Sequence, residues 1–369
     1  MAKVYFTKIG SYSETERINS AAAKLLVVLE KENPSLKFKG LLPIKVHFGE
    51  KGNITFIEPK NFEGVINHLK KNGAESFYTD TNVLYKSERT FSETHLAIAK
   101  EHGFTFLPIK IADGDHGEEN VEIDISKSDA KHFKKCLVGK IIADSNQMLV
   151  IAHFKGHPES GFGGAIKQLG MGCAARGGKL AMHANAKPLL NPLKCKKCLT
   201  CVKHCPTNAC IITAEQLDPK SSVGKKIGAI IPHIDSKKCI GCAACIAYCP
   251  YEAMSVNWVS TLPNTFEEKL AEYALAATLN KNGTQKKCVY LLFALNIAKK
   301  CDCFGEKMKP IAKDIGVFAS TDPVALDKAC LDLLRKNEGK KVFGGDHCLD
   351  HAEKIGLGSK KYELIEVEA

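Results

Sequence analysis

The chain has 369 residues, 44% apolar and 25% charged, with a formal net charge of +11 and 16 cysteines. That length exceeds one ordinary core and predicts two or three domains. The composition excludes a disordered or low-complexity chain, and no run approaches the ~20 apolar residues of a membrane helix.

Residues 1–185 read as alternating helices and strands. "SETE" at Ser13 is a capping box, and the helix it opens stops near Asn33-Pro34. A strand follows at Ile44–Phe48, then a helix over Asn61–Lys71 ended by Asn72-Gly73, then a strand at Glu75–Asp80. Thr94–His102 reads as a helix closed by Gly103, and "FTFLPIKI" and Met148–Phe154 read as strands. Residues 186–258 break the alternation with two cysteine-rich runs. The pattern resumes over 259–369. Pro263 and a Thr265/Glu268 capping box open a long helix that stops at Asn282-Gly283. Cys288–Asn296 and Ile315–Ser320 are strands, and Pro323 begins another helix. The expected fold is α/β: a mostly parallel sheet with helices on both faces, interrupted by a small inserted ferredoxin-like α+β domain.

The inserted segment writes one spacing twice, "CKKCLTCVKHCP" from Cys195 and "CIGCAACIAYCP" from Cys239. Disulfide frameworks belong to small secreted domains, so cysteines in a long chain point to metal. Each run is C-x2-C-x2-C-x3-C-P, in which three thiolates serve one iron–sulfur cube and the fourth serves the other. Two [4Fe-4S] clusters are therefore expected. One is held by Cys195, Cys198, Cys201 and Cys249, the other by Cys239, Cys242, Cys245 and Cys205. The alternative, a pair of zinc ribbons, fits poorly, because zinc commonly takes two separated C-x2-C pairs. Cys210 reads as core packing.

In parallel sheets ligands bind beyond the carboxyl ends of strands. Here those ends carry His47, Asp80, Asn82, His153, Lys155 and His157. The glycine-rich run Ser160–His183 adds Lys167, Cys173, Arg176, Lys179 and His183, cations that suit an anionic small molecule. Cys301 and Cys303 stand in C-x-C spacing. They read as a third metal or cluster site completed by Cys173 and a histidine from His153, His157 or His183, as a redox dithiol, or as structural thiols. The candidate site is His47, Asp80, Asn82, His153, Lys155, His157, Lys167, Cys173 and the Cys301/Cys303 pair. In it His153, His157 and the cysteines handle metal or protons, and Lys155 and Lys167 hold the anion. Lys194, Lys196, Lys197, Lys237 and Lys238 flank the cysteines and either favour the reduced, more negative clusters or are ordinary solvated lysines. The lysines scattered along the chain read as a solvated surface or as a docking face for an acidic redox partner protein. No basic helix or aromatic–basic module points to nucleic acid. Without an apolar leader, a cytoplasmic protein that does not enter a membrane is expected.

The runs "KVHFGEKGN", "YTDTN", "IADGDHG", "HFKGH", "GFGGAIKQLGMGC", the two cysteine runs, "CDCFG" and "GVFASTDPVALDKAC" occur in family order. In them the chain resembles the domain of unknown function 362 family, in its version with an inserted ferredoxin. Gln168 stands where that family commonly has Asn. The resemblance implies an iron–sulfur protein of anaerobic-type metabolism and supplies no reaction. Three functions follow as expectations. The clusters relay single electrons to a site on the α/β part; or the chain is a non-catalytic carrier with a partner-recognition domain; or it is a maturation factor using Cys301/Cys303.

Overall fold

Side chains along the central strands alternate between two hydrophobic layers, and that alternation sets the architecture. The structure, a computed structural model, describes residues 1–212 and 231–368. The first part of the chain forms β1 (Ala2–Lys8), α1 (Thr15–Glu32), β2 (Gly40–Lys45), α2 (Glu63–Lys71), β3 (Ala74–Asp80), α3 (Ser92–Glu101) and β4 (Ile109–Ile111). A hairpin of β5 (Asn120–Asp124) and β6 (Lys135–Gly139) follows, then α4 (Lys140–Asp144) and β7 (Gln147–His153). A short hairpin of β8 (Lys155–His157) and β9 (Gly161–Gly163) leads into α5 (Ala165–Cys173) and α6 (Arg176–Ala184). The cysteine-rich segment holds β10 (Pro188–Leu190), α7 (Thr200–Lys203), β11 (Cys210–Ile211), β12 (His233–Ile234), α8 (Ala244–Ala247) and β13 (Met254–Val256). The rest forms α9 (Pro263–Ala277), β14 (Lys287–Ala294), β15 (Gly316–Ser320), α10 (Pro323–Glu338), α11 (Asp346–Lys354) and β16 (Tyr362–Glu366).

The main sheet has eight strands in the order β16-β1-β15-β14-β7-β2-β3-β4. All run the same way except β15, which is antiparallel to both neighbours. Leu149 and Ile151 of β7 and Val289, Leu291 and Phe293 of β14 join the layer under α1 and α2. Met148, Val150, Ala152, Tyr290 and Leu292 join the opposite layer, with α5, α9 and α10. This period of two, apolar on both faces, is what a sheet covered by helices on both sides requires. From β2 the chain steps outward to β3 and β4, then returns to the other side of β2 as β7 and steps outward again to β14. The order reverses between β2 and β7, and a crevice opens there at the strands' carboxyl ends.

Several expected elements shift. The helix at Thr15 lacks the predicted capping box: Ser13 sits in a turn closed by the Glu14 amide on the Ser11 carbonyl, and no side chain caps the helix. Glu268 likewise does not reach back to its helix start but binds Lys131, His132 and His347. The strand expected at Ile44–Phe48 is β2, displaced toward the N-terminus, and "FTFLPIKI" yields only the three residues of β4. The connection "TAEQLDPKSSVGKKIGAIIPHID" lies mostly outside the described residues.

Candidate functional site

The cysteine-rich segment is built on an internal repeat. Matching positions of its two copies adopt matching backbones: Lys197 and Gly241, Leu199 and Ala243, and Asn208 and Glu252 all have φ between 51° and 70°. Such left-handed turns present successive amides to one side, which suits a negatively charged group. The copies interleave. β10 of the first pairs with β13 of the second, and β11 pairs with β12. As a result Cys195, Cys198, Cys201 and Cys249 line one hollow, and Cys205, Cys239, Cys242 and Cys245 line another.

The fourth cysteine of each copy is held identically. Cys205 Sγ accepts the Ala209 and Cys210 amides at 3.1 and 3.4 Å, and Cys249 Sγ accepts those of Ala253 and Met254 at 3.2 and 3.4 Å. Burial pushes the Cys205 thiol up, but the amides of Cys210, Thr207 and Ala209 outweigh it and hold the group below its ordinary value. Among the described residues, no three His, Cys, Asp or Glu side chains gather as ligands to a single ion. The thiols of the two runs instead surround two spaces, four run cysteines to each, which is the donor set a four-iron cube takes. Cys210 lines the second hollow and is buried there.

Helix α6 joins this segment to the sheet. Gly177 lies against Gly241 and Cys242, where an added Cβ would stand 3.2 Å from the Gly241 carbonyl. Leu180 and Ala184 pack with Leu84, Ala243 and Val256. Leu84 is also a wall of the crevice at the strand ends, as are Lys179 and His183 of α6 and Trp258 just beyond β13.

That crevice is a cavity of about 460 Å³. Its apolar walls include Leu84, Met171, Trp258 and Phe304, and its polar groups are His47, Asp80, Arg89, Lys155, His157, Lys167, Lys179, His183, Cys301 and Cys303. The cations are largely answered within the protein. Arg89 meets Glu50 at 3.2 Å and Asp80 at 3.6 Å; Lys155 meets Asp302 at 3.1 Å. Lys167 Nζ lies 3.4 Å from Cys301 Sγ. Lys179 binds only neutral oxygens, Thr81 Oγ1 and the carbonyls of Asn82 and Ala174, and burial lowers it to about 8. A hydrogen bond from Cys303, and then the ammonium groups of Lys167 and Lys155, hold the Cys301 thiol well below its usual value despite burial. Cys303, the donor, is pushed up. Burial and the neighbouring Lys167 keep His157 neutral.

Of the expected site residues, His47, Asp80, Lys155, His157, Lys167, Cys301 and Cys303 share this cavity. Three others do not line it. His153 lies beneath it, with Nδ1 on Asp302 at 2.9 Å and Nε2 on the Leu295 carbonyl at 2.8 Å. Both partners only accept, so the ring has no nitrogen free for a metal. Cys173 is buried in the core, its thiol donating to the Gln168 carbonyl and raised to about 11 by burial. Asn82 is buried and donates to the Gly114 carbonyl. The glycine-rich run does not await an anion at α5, because Asp327 already accepts the Ala165 and Ile166 amides at 2.7 and 2.9 Å. Gly164 makes that possible: a Cβ there would stand 2.3 Å from the carboxylate. Sequence reading missed Asp302, Arg89, Tyr85 and Glu159. Asp302 between the two cysteines was the one signal available; "YKSERTF" matches no motif.

A family model described as "Domain of unknown function (DUF362)" matches residues 43–332. No curated protein matches the chain. Among solved structures it is similar to a protein from Thermotoga maritima, at 11% identity and a TM-score of 0.39, over 87% of this chain and 59% of that one. It is also similar to the lactate racemase apoprotein from Thermoanaerobacterium thermosaccharolyticum, at 11% identity and a TM-score of 0.37, over 79% and 50%. The chain thus spans little more than half the length of either.

Proposed function

The chain belongs to the DUF362 family, and we propose that it is an iron–sulfur electron-transfer protein or oxidoreductase whose inserted segment feeds electrons to the cavity on the sheet. The observation that carries this reading is the pair of hollows, each walled by the three leading thiols of one run and the fourth thiol of the other. When bound, a [4Fe-4S] cluster in each would accept and pass one electron at a time. Cys195, Cys198, Cys201 and Cys249 would hold one, and Cys205, Cys239, Cys242 and Cys245 the other. The shared wall at Leu84, Leu180 and Ala243 supports transfer from the second hollow to the cavity. The first hollow would then face the external carrier, since Cys198 is exposed. The lysines around it suit an acidic partner.

In the cavity, Lys167 and Lys179 would hold or protonate an anionic substrate, and the apolar walls would exclude water from it. His183, 3.1 Å from Glu159, would carry protons at the cavity mouth. The test is anaerobic purification followed by iron and sulfide analysis and electron paramagnetic resonance. The expected result is about eight iron and eight sulfide per chain, with a paramagnetic signal on reduction. Zinc without iron, or no reducible centre, overturns the reading.

A further inference from the structure

We propose that Cys301 and Cys303 form a redox-active dithiol, a two-electron site set between the cavity and the outer surface. Only the origin of its electrons rests on the relay proposed above. The turn that carries the two thiols is fixed at every residue. The Phe304 amide closes it on the Cys301 carbonyl at 3.0 Å. The Asp302 carbonyl accepts the Glu50 amide at 3.0 Å, the Cys303 carbonyl accepts Tyr85 Oη at 2.9 Å, and the Phe304 carbonyl accepts Asn53 Nδ2 at 3.1 Å. The side chain between the thiols, Asp302, is fully buried and clamped by His153, Lys155 and Thr55. The turn thus holds two thiols, two residues apart, on one fixed segment at the wall of the same cavity, where each perturbs the other's ionisation.

A dithiol explains this pair better than a metal. The residues expected to complete a metal site have other partners: Cys173 lies in the core, His153 is held by two acceptors, His157 Nδ1 accepts the Glu159 and Ser160 amides, and His183 Nδ1 pairs with Glu159 at 3.1 Å. The two cysteines also differ in the way a dithiol needs. Cys301 is 1% exposed and faces Lys167, which stabilises it as the thiolate. Cys303 lines both the cavity and a separate outer groove with Glu50, Lys51, Tyr85 and Lys86. One sulfur is therefore kept inside and the other is within reach of the surface.

Reduction breaks the Cys301–Cys303 bond. Two electrons, supplied one at a time by an external low-potential carrier, and one proton from solvent yield the Cys303 thiol and the Cys301 thiolate. The Lys167 ammonium answers the new charge. Oxidation returns the electron pair to an acceptor, and Cys303 releases its proton.

The test poises the anaerobic, full-length protein in mixtures of reduced and oxidised dithiothreitol, traps thiols by alkylation, and weighs the tryptic peptide spanning 301–307. The expected result is a single two-electron transition, from a peptide alkylated twice to one unalkylated and two hydrogens lighter. Cys303→Ser should give one alkylation at every poise and never the lighter form. A wild-type peptide alkylated twice throughout, or either cysteine recovered bonded to a third, overturns the proposal. Iron and sulfide measured on the same sample separate the two readings. Iron present with an unbonded pair sinks only the dithiol; iron absent with a clean transition sinks only the relay as its electron source.

Discussion

Individual residues decide what the cavity can do, and the most consequential is Lys167. Its half-buried side chain brings the ammonium 3.4 Å from the buried Cys301 sulfur, so each charge depends on the other. Because the folded-state value of Cys301 is depressed, its thiolate persists to lower pH than an ordinary cysteine's and is lost as pH falls through that lowered value. Lys167→Met removes the partner and moves the inflection to higher pH. Below the inflection, alkylation of Cys301 should then slow roughly tenfold for each unit that the value rises. A rate–pH profile that does not move would show that Lys167 is not the group responsible. At this scale the sequence was half legible. C-x-C spacing announces two adjacent thiols, and Lys155, His157 and Lys167 follow from their places at a strand end or in the glycine-rich run. The supports were hidden, because Asp302 meets His153 and Lys155 only after folding brings distant segments together. A histidine at a strand end looks the same in sequence whether it binds a metal or props up a carboxylate.

Elements form where the sequence predicts but not always by the predicted means. Helix α9 begins at Pro263, yet Glu268 serves a different purpose, tying Lys131, His132 and His347 to the helix. Burial raises its carboxyl, but the bonds from Lys131 and His132 prevail and lower it from 4.5 to about 2. A depressed carboxyl contributes stability that is complete above its unfolded value and fades as pH falls toward the folded one. Glu268→Gln should therefore cost roughly 1 kcal/mol at neutral pH. It should also flatten the loss of stability on acidification between about 4.5 and about 2, as read from urea unfolding across that range. Equal acid sensitivity in both proteins would contradict this. Periodicity located the central strands because apolar runs buried on both faces leave a continuous signal. It missed β1, β16 and the β5–β6 hairpin. The outer strand β16 holds only half-buried and exposed residues, with Glu363 and Leu364 exposed side by side, so tertiary pairing decides it rather than pattern.

Across the whole molecule, the reversal of strand order between β2 and β7 and the interleaved cysteine segment meet at one cavity. The parallel α/β architecture was readable from the alternation of helix and strand. The meeting of the two parts was not, because Leu84, Leu180, Ala243 and Val256 come from four separate stretches of chain. Crossed pairing makes a specific prediction. Cys249→Ala should abolish the centre lined by Cys195, Cys198 and Cys201 while sparing the one lined by the rest of its own run. Iron should fall by about half, with one paramagnetic signal retained. Cys205→Ala should remove the other signal. Loss of the same signal in both variants would mean that each run serves itself.

The exchange of strands between the copies has a consequence for how the protein comes into being. As the polypeptide leaves the ribosome, Cys195, Cys198 and Cys201 emerge before Cys249, the thiol that shares their hollow, because Cys249 is the last cysteine of the second run. Cys205 emerges early and must likewise wait for Cys239. On the proposed cluster assignment neither half can mature alone, and a nascent or truncated chain ending before residue 249 would expose an incomplete set of thiols to whatever delivers iron.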